Sequence, residues 1–163
     1  MDKVTDMMVE KKDPAVDRQG PIIIGSDHAA FPMKEKIITL LTGLGIEVKD
    51  AGTFSLDSVN YTDYGKKVAG AVSKGDYSRG ILLCGTGLGM SMVANRFPGV
   101  RAALCSDIFS VRMSREHNDS NILVLGGRII GDALAFELVK TWLTTPFEGG
   151  RHLDRILSME TSA

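Results

Sequence analysis

Gly80-Ile81-Leu82-Leu83-Cys84-Gly85-Thr86-Gly87-Leu88-Gly89-Met90 is the stretch on which the fold turns. Ile81 to Leu83 make a short apolar run of the kind that forms a strand buried on both faces. From Leu88 onward, Met90, Met92, Val93 and Ala94, ahead of Asn95 and Arg96, read as a helix. Between the two, glycines at alternate positions let the backbone take positive φ and approach a ligand closely. Several N–H groups can then converge on an anion at the positive end of the helix. Cys84 stands at the lip of this turn, where a helix dipole favours a thiolate. A base or nucleophile beside an oxyanion cradle is one reading of the stretch. A plain tight turn after a buried cysteine is the other.

Working outward, Pro21-Ile22-Ile23-Ile24-Gly25 is a first strand followed by the loop Ser26-Asp27-His28. Pro32 suits the first turn of a helix whose inner face is Met33, Ile37, Leu40, Leu41 and Leu44, closed by Gly45. Ile46 to Asp50 alternates like a strand nearer the sheet edge, and a polar loop over 51–60 leads to a helix over about 61–73 with Val68 and Val72 inward. Downstream, Phe97-Pro98-Gly99 turns the chain into a fourth strand, Val100 to Cys105. Ser106-Asp107 then caps a helix to about Glu116. Ile122 to Leu125 is the fifth strand, ending in Gly126-Gly127-Arg128. Asp132 caps a last long helix bearing Leu134, Leu138 and Trp142 and ended by Pro146.

Five strands alternating with five helices predict an α/β domain with a five-stranded, Rossmann-like parallel sheet covered on both faces. In such a sheet every strand points the same way and ligands bind beyond the carboxyl ends. Ser26-Asp27-His28, Cys84 to Gly89, Cys105 to Asp107 and Gly126 to Arg128 all follow strands directly, so they share one rim. That convergence favours a functional glycine turn.

The chain has 163 residues, 44% of them hydrophobic and 24% charged, with a net charge of -1, which suits a single domain with a full core. Near-neutrality excludes a general affinity for nucleic acid and leaves room only for a small, locally bound anion. No signal-like or membrane-length apolar run accompanies the two cysteines, so a reducing cytoplasm is expected and neither thiol needs a disulfide. Residues 1–20, charged and broken by Pro14, read as a flexible extension before a single domain over 21–163. The three histidines lack zinc-ligand spacing, and no metal is expected.

Other polar residues carry two readings each. Asp27 before His28 suits a ligand contact or a turn with an aspartate cap. His117-Asn118 suits a site or the end of a helix, and Arg151 with Arg155 suits a phosphate grip or a solvated helix face.

Taken together, Gly25-Ser26-Asp27-His28-Ala29-Ala30-Phe31 with Lys34, Cys84 to Ser91 with Ala94-Asn95, His117-Asn118-Asp119, Gly127-Arg128 and Gly149-Gly150-Arg151-His152-Leu153-Asp154-Arg155 resemble the type B ribose-5-phosphate isomerase family. The resemblance runs in order over about residues 21–156. It implies a three-layer α/β/α sandwich, no cofactor, a homodimer or dimer of dimers, and interconversion of ribose 5-phosphate with ribulose 5-phosphate. It also implies Cys84 as the base, the backbone of Gly85, Thr86, Gly87, Leu88 and Gly89 as the enediolate cradle, and Asp27 as the group orienting substrate hydroxyls. His117 with Thr86 would open the sugar ring, Asn118 standing close by. His28, Arg128, Arg151 and Arg155 would hold the phosphate, and Tyr61 would line the pocket. Isomerisation of allose 6-phosphate or galactose 6-phosphate, or non-catalytic sensing of a sugar phosphate, are the competing functions. The related galactose-6-phosphate isomerases generally lack the His-Asn pair and the Gly-Gly-Arg-His tail.

Topology adds one expectation. His117-Asn118 precedes strand five and so lies at the amino ends of the strands, whereas Cys84 lies at the carboxyl ends. A five-residue strand is about 17 Å long, too far for one side chain to cross. A two-fold partner would close the gap, giving shared active sites, with the C-terminal segment packing on the partner.

Overall fold

The central strands are unbroken apolar runs, and residues of that kind are stable only where helices cover both faces of the sheet. A computed structural model describes residues 20–161, so the extension expected over 1–20 lies, apart from Gly20, outside the described residues. The elements are β1 (Ile22–Ser26), a 3-10 turn (His28–Ala30), α1 (Phe31–Gly43), β2 (Val48–Asp50), α2 (Tyr61–Ser73) and β3 (Arg79–Cys84). They continue with α3 (Leu88–Ala94), β4 (Ala102–Leu104), α4 (Ile108–Glu116), β5 (Ile122–Gly126), α5 (Asp132–Thr144) and α6 (Arg151–Glu160). All five strands are parallel, in the order β2-β1-β3-β5-β4.

Alternation along each strand sorts the core into two layers. Ile22, Ile24, Ile81, Leu83, Leu123 and Leu125 pack against Ile37 and Leu41 of α1, Val111 of α4, and Leu138 and Trp142 of α5. Ile23, Leu82, Cys84, Ile122 and Val124 face the other way, onto Val68 and Val72 of α2 and Met90 and Ala94 of α3. Each fully buried aliphatic side chain of this set contributes ~1.5–3 kcal/mol relative to exposure. Close packing of α2 on α3 needs small residues, and a Cβ on Gly65 would stand 3.0 Å from Val93.

Four details differ from the sequence reading. β2 and β4 are shorter than expected, because the flanking amides bond elsewhere: Ile46 N–H goes to Leu41 O (3.0 Å), and Arg101 N–H goes to the Asn121 side chain (2.8 Å). The free edge of β4 is paired at Ala102 by the Asn95 carboxamide, which both donates and accepts at 2.9 Å. Asp132 is the first residue of α5 rather than its cap, which is Gly131, and its carboxylate pairs with Lys36 of α1. Helices number six among the described residues, because Arg151 to Glu160 forms a helix of its own. Asp107 does cap α4, and hydrogen bonds from Ser110 hold its carboxyl below the usual carboxylate range. No helix among the described residues is long and apolar enough to cross a membrane.

The chain leaves β1 toward β2 on one side and leaves β3 toward β4 and β5 on the other. The carboxyl ends of β1 and β3 are therefore a topological switch point, the place where open parallel sheets bind ligands.

Candidate active site

At this switch point Ser26 pairs in register with Leu83, and Asp27 N–H bonds to Leu83 O at 3.2 Å, which sets Asp27 beside Cys84. Cys84 is the last residue of β3 and 5% exposed, and its Sγ accepts the Gly87 N–H at 3.2 Å. Gly87 caps α3 with φ +78, and a Cβ there would lie 2.4 Å from Leu104, so no larger residue fits. The turn after β5 braces the loop from below: Gly127 N–H bonds Cys84 O and Arg128 N–H bonds Gly85 O, both at 2.9 Å. With Leu88 N–H on Thr86 Oγ1, the amides of Gly85, Thr86 and Gly89 donate to nothing among the described residues. Three unpaired amides at a helix N-terminus beside a sulfur form a cradle of donors of the kind that can receive an oxyanion.

Around the cradle stand the other rim residues. Asp27 is buried, and its Oδ1 accepts Ala29 N–H (3.0 Å) and Ala30 N–H (3.2 Å), so the cap reading of this residue is realised. Its Oδ2 makes no hydrogen bond among the described residues. His28 Nδ1 accepts the Val59 amide at 3.2 Å, which assigns the proton of the neutral ring to Nε2. Arg128 is exposed and lies over Gly85, its Cδ 3.5 Å from where a Cβ would be. Tyr61 starts α2 and lays its ring on Gly89, where a Cβ would come within 2.6 Å of it.

The loop between β2 and α2 was expected only to be polar, yet it is stitched to this rim. Ser26 N–H bonds Gly52 O (2.7 Å) and Thr53 N–H bonds Ser26 O (2.8 Å). Asp50 anchors its start, Oδ1 accepting Gly52 N–H at 2.9 Å and Oδ2 meeting Lys34 Nζ at 2.6 Å. Lys34 is fully buried, a position that no apolar periodicity foretells, although it stands in the motif that opens the family resemblance.

The remaining candidates gather at the opposite pole. His117 caps the C-terminus of α4, and Asn118 and Asp119 (φ +44) make a tight turn held by Arg101, which bonds both their carbonyls, and by Arg115, paired with Asp119 at 2.8 Å. Since Gly80 pairs with Ile122 and Cys84 with Gly126, the two ends of β5 are roughly 13 Å apart, with His117 beyond the far end. Arg151 and Arg155 project outward from α6 at this same pole, while His152 and Ile156 face inward. The structure thus brings Asp27, His28, Tyr61, Cys84 to Gly89 and Arg128 together, and His117, Asn118, Arg151 and Arg155 together, in two separate groups.

The second group holds one combination that spacing along the chain did not suggest. His117, His152 and Glu148 bring ligand atoms within 4.8 Å of one another. The two rings are stacked parallel, however, so their in-plane lone pairs run side by side instead of converging on an ion.

A family model described as ribose/galactose isomerase matches residues 22–159. The chain belongs to the ribose/galactose isomerase family. It is 45% identical to ribose-5-phosphate isomerase B of Escherichia coli over 135 residues, 83% of this chain and 91% of that one. A ribose 5-phosphate isomerase structure from Thermotoga maritima matches with a TM-score of 0.85 at 54% identity, covering 88% of this chain and 99% of that one. A D-erythrulose-4-phosphate isomerase from Pectobacterium atrosepticum is 42% identical over 79% of this chain and 86% of its own length. The resemblance to the type B ribose-5-phosphate isomerases and the three-layer α/β/α fold are both borne out. The protein is a sugar phosphate isomerase.

Proposed function

We propose that this isomerase interconverts D-ribose 5-phosphate and D-ribulose 5-phosphate through a cis-enediolate, without a cofactor, in a cytoplasmic homodimer whose two sites each draw on both chains. The observation that carries the reading is Cys84 Sγ set against the unpaired amides of Gly85, Thr86 and Gly89. Moving a carbonyl from carbon 1 to carbon 2 requires a proton to leave beside the carbonyl, an enediolate to be stabilised, and the proton to return one carbon away. Cys84 removes and returns the proton, one base sufficing because the enediolate is cis. The amides receive the oxyanion, and Asp27 Oδ2 orients a substrate hydroxyl. His28 Nε2–H and Arg128 offer charge-assisted donors to the phosphate, joined by Arg151 and Arg155. Tyr61 closes the side of the pocket.

Ribose 5-phosphate is mostly cyclic, so a proton must also reach the ring oxygen. His117, aided by Thr86 and flanked by Asn118, supplies it. The distance between His117 and Cys84 within one chain supports delivery from the partner subunit, and exposed Leu153 and Leu157 on α6 suit packing of the C-terminal segment on that partner. Free thiols at both cysteines fit a reducing compartment.

The activities for which these relatives are named span four- and five-carbon substrates, and six-carbon phosphates differ only in the pocket depth they need. Steady-state kcat/KM for ribose 5-phosphate beside erythrulose 4-phosphate, allose 6-phosphate and galactose 6-phosphate tests the reading. The five-carbon substrate is expected to lead by at least tenfold. Preference for another chain length would overturn the substrate assignment, and binding without turnover of any of them would favour a sensor.

A further inference from the structure

We propose that His152 is a positioning residue that holds the His117 ring in the plane from which it serves the sugar ring oxygen. The inference rests on the ring-opening function assigned to His117 above. His152 lies in the arginine-containing α6 motif but, unlike its neighbours Arg151 and Arg155, points inward and is 5% exposed. Its imidazole stacks on that of His117 with centroids 4.2 Å apart and planes within 11°. His152 Nε2 is in turn 3.3 Å from the Glu148 carboxylate, and Glu148 N–H bonds Glu116 O at 3.1 Å, tying the segment before α6 to the last residue of α4.

The backbone at His117 is already fixed, by its own N–H on Met113 O and by the arginine-braced turn that follows. What backbone contacts leave undetermined is rotation of the side chain, since the outer torsion of a histidine has a broad, roughly two-fold well. A flat ring laid over one face restricts that rotation, and burial of His152 together with its Glu148 contact keeps the platform itself from turning. An aliphatic residue would fill the same volume without defining a plane. The stack also joins α4 to α6, so the group that delivers the proton and the arginines offered to the phosphate move as one body.

The test uses full-length protein carrying His152→Ala, His152→Phe, Glu148→Gln or His117→Asn. Two readouts are compared: single-turnover conversion starting from cyclic ribose 5-phosphate, and washout of the carbon-1 proton of ribulose 5-phosphate into deuterated solvent, which needs Cys84 but no ring opening. His152→Ala should slow the first by about 10- to 100-fold, the scale of a slightly misplaced catalytic group, and leave the second within about twofold. His152→Phe, which keeps the flat face, should recover most of the loss, and Glu148→Gln, which keeps an acceptor, should fall between wild type and His152→Ala. Equal loss in both readouts for His152→Ala, or no recovery with His152→Phe in a variant of wild-type melting temperature, overturns the proposal. His117→Asn separates the two levels. If it selectively slows ring opening while His152→Ala does not, only the positioning inference fails, whereas if it does not, the assignment of His117 itself falls.

Discussion

Cys84 Sγ lies 3.2 Å from the amide nitrogen of Gly87, so the first helical turn after β3 directs its backbone dipole at the sulfur. The contact depends on Gly87 being in the left-handed region, and it links the turn chemistry of the sequence to the Cys84 sulfur. Substituting the cysteine leaves the cradle standing. Cys84→Ala and Cys84→Ser should fold and bind ribose 5-phosphate by calorimetry with little change in affinity, yet lose about 10²–10⁴-fold or more in turnover. Near wild-type turnover in Cys84→Ala would remove the base assignment.

The other cysteine is set up differently. Burial pushes the Cys105 thiol from its ordinary 9.0 up to about 11, partly offset by a hydrogen bond with Ser114 and reinforced by the nearby Asp107 charge. At neutral pH it stays a thiol, so alkylation should reach Cys84 first, inactivate the enzyme and be slowed by substrate, as peptide mass mapping can show. Cys105→Ser should remain active. Because the folded state holds the Cys105 proton more tightly than the unfolded state, its stabilisation is complete below about pH 9. It is lost as pH rises toward 11, by up to ~3 kcal/mol. Denaturant titrations from pH 8 to 11 should show that slope, and Cys105→Ala should flatten it.

Proton delivery and phosphate binding predict different kinetic signatures for residues at the same pole. His117→Asn should slow conversion of cyclic ribose 5-phosphate about 10²-fold more than the reverse chemical steps from ribulose 5-phosphate, which cannot close to a furanose. Arg151→Ala and Arg155→Ala should instead raise KM roughly 10- to 100-fold with kcat little changed, the scale of one lost charge-assisted hydrogen bond. A fall in kcat alone for either arginine would count against a phosphate contact.

Since Cys84 and His117 stand at opposite ends of the strands, two individually inactive chains should complement one another. Re-associated mixtures of Cys84→Ala and His117→Ala should contain heterodimers with one intact site, and thus up to about half of wild-type activity in that species. Verified heterodimers without activity, or a monomeric variant with full activity, would rule out sites shared between chains.

What the amino-acid sequence determined was local. Apolar runs stopped by glycine, caps such as Asp107 and periodic inner faces such as Val68 with Val72 depend on residues within a few positions of one another. They located the elements and put Asp27, Cys84 and Arg128 on one rim, because parallel strands all end on the same side. The order β2-β1-β3-β5-β4, the pairing of buried Lys34 with Asp50, the Asn95 clamp on β4 and the His117–His152 stack were decided only by the tertiary structure. Each joins residues far apart in the chain, and a strand's neighbours, or a lysine's burial, follow from which helix covers which face of the sheet. No periodicity within a single segment carries that information.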